Sequence, residues 1–356
     1  MAITNIKGYI FEYFVRKLLQ NAGFQQVFPD DNIIYKSSAG IMIHGLGQSH
    51  NADVLVSPPI QIPFYFQTRL LIECKCYTEP LGLPFVRNVL GLREDINSFD
   101  IVTPEILRKR RNYRRSRSAV FDFDRYIYQV ALASISGFKE TAEEFAAVHR
   151  IPLISFSKSK IFEPIRNFIN SSDSIVEGLT DHEKDNFIKI LKGEKTPYQY
   201  HSEDCHNNFD SHSIIAICEF FDNVQRIAED IVIGILENGT ILFMYAERRN
   251  SKPNYEDDDF RLFWSDDKIS WKIETNTFNY YFELPDNLMR EWDKKIDNWN
   301  YEYDLKMQTL RLKEKYFPKI ALYSFKEGKP KIEIIEISKH FIKSAVSILN
   351  ENQQYM

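Results

Sequence analysis

The chain reads as an α/β protein: a mixed sheet flanked by helices, followed by a second, α+β domain. Three observations predict this. Residues 127–134, 139–149 and 152–156 alternate strand, helix and strand, the succession that builds a parallel layer. Upstream, the apolar runs at 54–56 and 70–72 have the length and branching of buried strands able to pair as a hairpin. Downstream, Asn238-Gly239 stands between apolar runs at 231–236 and 241–245, the strongest short-range hairpin signal. At 356 residues the chain exceeds one typical core, which favours two domains. The boundaries read as 1–169 for the first domain, 170–212 for a linker with a short helix, and 213–356 for the second.

Each element follows from local pattern. Residues 6–22 form an amphipathic helix: Ile10, Phe14 and Leu18 with Phe11, Val15 and Leu19 make a core-facing stripe, and Gly23 ends it. Short strands are expected at 27–28 and 33–35. A glycine-rich loop with Gly40, Gly45 and Gly47 comes next, and the flanking His44 and His50 read as solvated. Between the paired strands lie Pro58, Pro59 and Pro63, so that hairpin includes an irregular excursion. A helix over 83–97 places Phe85, Val89 and Leu92 at helical spacing. Ala142, Ala146 and Ala147 share one face of the helix at 139–149, and a helix over 161–169 closes the domain. Ser171-Ser172-Asp173-Ser174 reads as linker, and 181–192 as its short helix. In the second domain, strands are expected at 214–218, 231–236 and 241–245. Further hairpins are expected at 260–264 with 269–273 and at 320–325 with 331–337, together with helices over 284–315 and 341–349.

Chemistry concentrates in Leu70-Leu71-Ile72-Glu73-Cys74-Lys75. Alternate strand residues share a face, so Glu73 and Lys75 emerge side by side, while Cys74 points to the opposite, core side. If the two strands pair, Asp53, at the start of the other strand, lies beside Glu73. Two converging carboxylates suit a hard divalent cation, and a neighbouring lysine can orient water and offset charge on a phosphate. Acid-x-Lys triplets also occur at Asp266 with Lys268, Asp293 with Lys295, Asp304 with Lys306, and Glu327 with Lys329. Those sit in turns or charged stretches, where solvated surface explains them; only Glu73 and Lys75 follow an apolar strand with an acid-headed partner.

These pieces resemble the PD-(D/E)xK nuclease superfamily, most closely its Mrr-like branch: Gly8-Tyr9-Ile10-Phe11-Glu12 opening a helix, Asp53, and Glu73-Cys74-Lys75. Ala52 stands where the family pattern has proline. The resemblance covers residues 1 to about 168 and implies a restriction-endonuclease-like fold and a Mg²⁺-dependent endonuclease, with Mn²⁺ as a substitute. It implies that Asp53, Glu73 and the Cys74 backbone carbonyl hold the ion, that Lys75 positions water, and that Glu12 completes the site. From spacing alone Glu12 lies off the apolar stripe and reads as a solvated helix residue. The implied substrate is DNA, cut in restriction or defence to leave a 5′ phosphate, and double-strand cleavage favours a homodimer. A structure-specific junction nuclease and a catalytically inactive nucleic-acid-binding protein of the same fold are the alternatives.

Charge distribution agrees with a polyanion partner for the first half. Residues 1–168 hold 21 Lys and Arg against 16 Asp and Glu, a balance of +5, leaving 24 against 34 and −10 for the remainder. The densest run contains Arg108, Lys109, Arg110, Arg111, Arg114, Arg115 and Arg117, candidates for DNA phosphate contact rather than base reading. The acidic second half is left with target recognition, dimerisation or binding of an activating partner. His201, Cys205, His206 and His212 match no trusted zinc spacing, and Asp257-Asp258-Asp259 reads as a turn. No apolar run approaches the ~20 residues of a membrane span. Four cysteines in no paired framework and the absence of a leader pattern make a reducing cytoplasm the expected location.

Overall fold

The computed structural model describes residues 6–99, Arg108, 126–197, 212–283 and 317–347, except for 31–32, 38–39, 62–65, 238, 250–260, 265–270, 276, 318, 327 and 337–345. Within them the architecture is mixed α/β, with one mixed sheet and two antiparallel ones.

The first sheet has strand order β1-β5-β6-β7-β8, where β1 is Gln25–Gln26, β5 Val54–Ser57, β6 Gln67–Lys75, β7 Tyr126–Ser134 and β8 Leu153–Ser155. β5 pairs antiparallel with β6, while β6, β7 and β8 run parallel. The parallel pairs need crossovers, supplied by α2 (Leu83–Ser98) and α3 (Glu140–His149). α2 begins with a proline in its first turn, where the missing N–H costs nothing. Both helices cover the face bearing Leu55, Leu71, Val130 and Leu132. The small antiparallel sheet β2-β3-β4 (Ile34–Ser37, Gly40–His44, Ser49–Asn51) packs there too, through Ile34 and Ile43. α1 (Ile6–Asn21) lies on the other face, over Val54, Val56, Leu70, Ile72 and Cys74.

Behind α1 come α4 (Glu163–Glu177), α5 (Asp181–Leu191) and α6 (His212–Asp230). α5 opens with a capping box in which Thr180 accepts from the Glu183 amide and Glu183 reaches back to the Thr180 amide. The second large sheet has order β11-β12-β13-β10-β9-β14-β15: Arg261–Trp264, Trp271–Glu274, Phe278–Phe282, Ile241–Arg248, Ile231–Leu236, Lys319–Lys326 and Lys329–Glu336. Every pairing in it is antiparallel. The expected hairpins are present, including β9–β10, where Gly239 takes the positive φ that the turn requires.

Four expectations are corrected. Residues 214–218 belong to α6, whose buried positions Ile214, Ile217, Phe221, Val224 and Ala228 repeat at helical spacing. Ser171–Ser174 lie within α4, not in a linker, and Ser172 is fully buried. The glycine-rich loop contains strands β3 and β4. The strand expected at 27–28 falls instead at Gln25–Gln26, paired with Ser57 and Val56, and leaves Phe28 exposed. The helix expected over 284–315 lies outside the described residues.

One apolar core runs through both halves of the chain. Phe156, just after β8, is fully buried and meets the rings of Phe11, Phe14, Phe162 and, from β10, Phe243 at 4.9–5.6 Å. Removing such a ring forfeits its transfer energy and leaves a cavity. Phe156→Ala is expected to lower the unfolding free energy by about 3–5 kcal/mol in urea titration; a loss under ~1 kcal/mol would show that this ring does not join the two sheets.

Candidate active site

The site forms at the carboxyl end of β6. β5 and β6 pair with Val54 opposite Ile72, which brings Asp53, one residue before β5, to the level of Glu73. Strand alternation settles the faces. Leu71, on the α2 side of the sheet, shares its parity with Glu73 and Lys75, and Leu55 shares its parity with Asp53. All three polar side chains therefore emerge on one face, as expected from the sequence.

They also touch. Lys75 Nζ lies 2.8 Å from Glu73 Oε2 and 3.5 Å from Asp53 Oδ2. The backbone N–H of Cys74 donates to Asp53 Oδ2 at 2.9 Å, and the Asn51 amide donates to Asp53 Oδ1 at 3.3 Å. Cys74 thus holds the aspartate through its amide, while its side chain sits in the core against α1. Burial, with the nearby acids, pushes that thiol well above its ordinary pKa. It is an inert core cysteine.

The electrostatics are those of crowded acids. Burial, then the charge of Asp53, raises the Glu73 carboxyl, with Lys75 acting in the opposite sense. Burial would lower the Lys75 ammonium, but Asp53 and Glu73 outweigh it and hold the side chain protonated. Glu12 reaches the same field from α1. Burial and then Asp53 push it to about 8, against the opposing influence of Arg16 and Lys75. Glu12 is half-buried and feels the charges of Asp53, Glu73 and Lys75.

Among the predicted residues, Lys75 contacts both Asp53 and Glu73, and Glu12 feels the charges of all three. Of the basic run, Arg108 is exposed; Lys109, Arg110, Arg111, Arg114, Arg115 and Arg117 lie outside the described residues. His201, Cys205, His206 and Asp257 to Asp259 also lie outside them, and His212 opens α6. Neither histidine expected to be solvated is so. His44 Nδ1 is 2.9 Å from Ser49 Oγ, with its ring against Tyr35 and Phe99. His50 Nε2 is 2.7 Å from Asp95 Oδ2. Asn51, Asp95 and the Cys74 amide are not legible in the sequence, because each partnership depends on register or on a helix far away along the chain.

Among the described residues no group of three or more His, Cys, Asp or Glu is gathered closely enough to cage a metal ion. The donor set at Asp53 and Glu73 is nevertheless of the kind Mg²⁺ takes, since that ion keeps several waters and uses one or two carboxylates plus substrate oxygens. Burial and the neighbouring acid both raise Glu12 and Glu73, and a bound cation would offset the second of these.

No protein-family model and no curated protein matches the chain. A solved structure described as the crystal structure of a protein of unknown function is similar to it at 14% identity, over 53% of this chain and 100% of that one, with a TM-score of 0.28. A likeness that slight bears on neither fold nor function. Among the described residues no helix is long and apolar enough to cross a membrane.

The Glu12 titration has a definite sign. Its folded pKa of about 8 exceeds its ordinary 4.5, so the protonated form stabilises the fold. That contribution is complete below the ordinary value and is lost as pH rises toward 8. In EDTA, Glu12→Gln is expected to raise urea stability at pH 8 by about 1–3 kcal/mol and to change it little near pH 4.5. Equal effects at both pH values would remove Glu12 from the buried cluster.

Proposed function

We propose that this chain is a Mg²⁺-dependent endonuclease that hydrolyses phosphodiester bonds in DNA, of restriction or defence type. In this reading the first sheet and its helices are the restriction-endonuclease-like domain that the motifs resemble. The observation that carries the proposal is the grouping of Lys75 with Asp53 and Glu73 on one face of β6. Here two acids and a lysine are gathered in a partly buried site despite the desolvation cost that opposes each charge.

Asp53 and Glu73 would hold the ion. Bound there, Mg²⁺ supplies a Lewis acid for the phosphoryl oxygen and lowers the pKa of its coordinated water. The Cys74 N–H and the Asn51 amide keep the Asp53 carboxylate in place. Lys75, fixed as a cation, donates to the attacking water or to a non-bridging phosphate oxygen, offsetting charge as the in-line displacement proceeds. Glu12, protonated near neutral pH without a cation, becomes available as a carboxylate when one is present. Double-strand cleavage requires two such sites, which favours a homodimer.

Purified protein with Mg²⁺ and supercoiled plasmid tests this directly. Glu73→Ala, Lys75→Ala and Asp53→Asn are each expected to lower the cleavage rate by about 10²–10³-fold or more, and EDTA is expected to abolish it. Cleavage that survives all three substitutions, or survives EDTA, refutes the assignment.

Phosphate binding by the basic run has a separate signature. Replacing Arg110, Arg111, Arg114 and Arg115 with Gln is expected to weaken DNA binding alike across sequences. It should also reduce the slope of log affinity against log salt by about 1 for each phosphate no longer neutralised. An unchanged slope in a salt titration by fluorescence anisotropy would exclude the run from the interface.

A further inference from the structure

The turn between β3 and β4 is built around a side chain from another element. Asp95, on α2, accepts from the Gly47 N–H through Oδ1 at 2.8 Å and from the Gln48 N–H through Oδ2 at 3.4 Å. The same Oδ2 lies 2.7 Å from His50 Nε2, and the Asp95 carbonyl accepts from the Leu46 N–H at 3.0 Å. Residues 46, 47, 48 and 50 are thus all tied to one side of α2 through a single residue. The fit leaves no room: a Cβ on Gly45 would stand 2.1 Å from Asp95 Oδ2 and 2.7 Å from the Gln48 carbonyl. The hydrogen bond from His50, followed by those from the amides, holds Asp95 below the usual carboxylate range, so it is ionised.

What this turn delivers is the candidate site. β4 runs from Ser49 to Asn51, and Asp53 follows two residues later. Asn51, the last residue of β4, donates to Asp53 Oδ1, and among the described residues β4 has no other strand partner than β3. Asp53 is held by the Cys74 amide and Lys75 of β6, and by Asn51 at the end of a three-residue strand whose preceding turn and His50 are tied to α2 by Asp95. A carboxylate on one ring nitrogen fixes an imidazole's orientation and tautomer, the arrangement that supports ligand groups around metals.

We infer that Asp95 and His50 are positioning residues for the cation site, clamping β4 so that Asn51 and Asp53 are held opposite Glu73. The inference rests on Asp53 and Glu73 being cation ligands. Neither Asp95 nor His50 touches the reacting atoms; they act through the segment they fix. A turn anchor with a purely structural role would alter stability and leave the cation affinity unchanged.

The test uses the full chain with Mn²⁺ alone, by calorimetry, and then Mg²⁺-dependent cleavage of a defined duplex. His50→Gln and Asp95→Asn are each expected to weaken Mn²⁺ binding about 10- to 100-fold. Each should also lower kcat with KM for DNA within about twofold, and the double variant should be no worse than the more affected single one. Should Asp95→Asn fail to fold, His50→Gln decides alone. If both variants bind Mn²⁺ and cleave like wild type while Asp53→Asn loses Mn²⁺, the clamp is wrong and the cation site stands. If Asp53→Asn binds Mn²⁺ undiminished, the cation site itself is wrong and the clamp falls with it.

Discussion

The antiparallel register of β5 on β6 is the constraint from which the site derives. Val54 opposite Ile72 puts Asp53 at the level of Glu73, and the same parity puts Lys75 on their side of the sheet. A one-residue slip of β6 against β5 would turn Leu71 out of the α2-side core and carry Glu73 and Lys75 to the α1 side, away from Asp53. The apolar residues of these strands thus fix the chemistry as firmly as the charged ones do. In this register Leu71 is buried on the α2 side, and Ile72 and Val54 on the α1 side.

Holding acids together at a sheet end has a cost that the surroundings only partly offset. Lys75 bridges two carboxylates, yet Glu73 and Glu12 remain raised, chiefly by burial and then by the charge of Asp53, which Lys75 and, at Glu12, Arg16 only partly offset. Arg16 is itself committed elsewhere, donating to the Leu191 carbonyl at the end of α5. In the proposed reading a bound cation would supply the positive charge that Lys75 alone does not.

Much of this was legible in the chain. The Glu73-Lys75 spacing needed only strand periodicity, and the βαβ succession needed only apolar runs of the right length. The failures have a common physical origin. Ile214 to Cys218 is five apolar residues, a window in which a strand and a buried helix look alike; the period of α6 emerges only when Phe221, Val224 and Ala228 are included. Gly40 misled in the opposite direction: it has positive φ, as a loop glycine should, but it sits at the first residue of β3, at the turn from β2. His50 and Asp95 are 45 residues apart, and no local pattern pairs them. Local periodicity sets faces and element types, whereas hydrogen-bond partners across elements depend on how those elements pack.

The second half of the chain enters the site through α1. That helix carries Glu12, whose carboxyl feels the charge of Asp53, and is held by residues far downstream. Tyr13 packs on Phe220 and Phe221 of α6, Arg16 caps α5, and Lys7 pairs with Asp173 of α4. Phe11 and Phe14 share the Phe156 ring, which in turn meets Phe243 of β10. Displacing any of these supports rotates or shifts α1, and with it the one acid of the cluster not fixed by the β5–β6 ladder. The position of Glu12, and hence the charge balance at the sheet end, is therefore set jointly by both halves, through a core that no boundary at residue 170 divides.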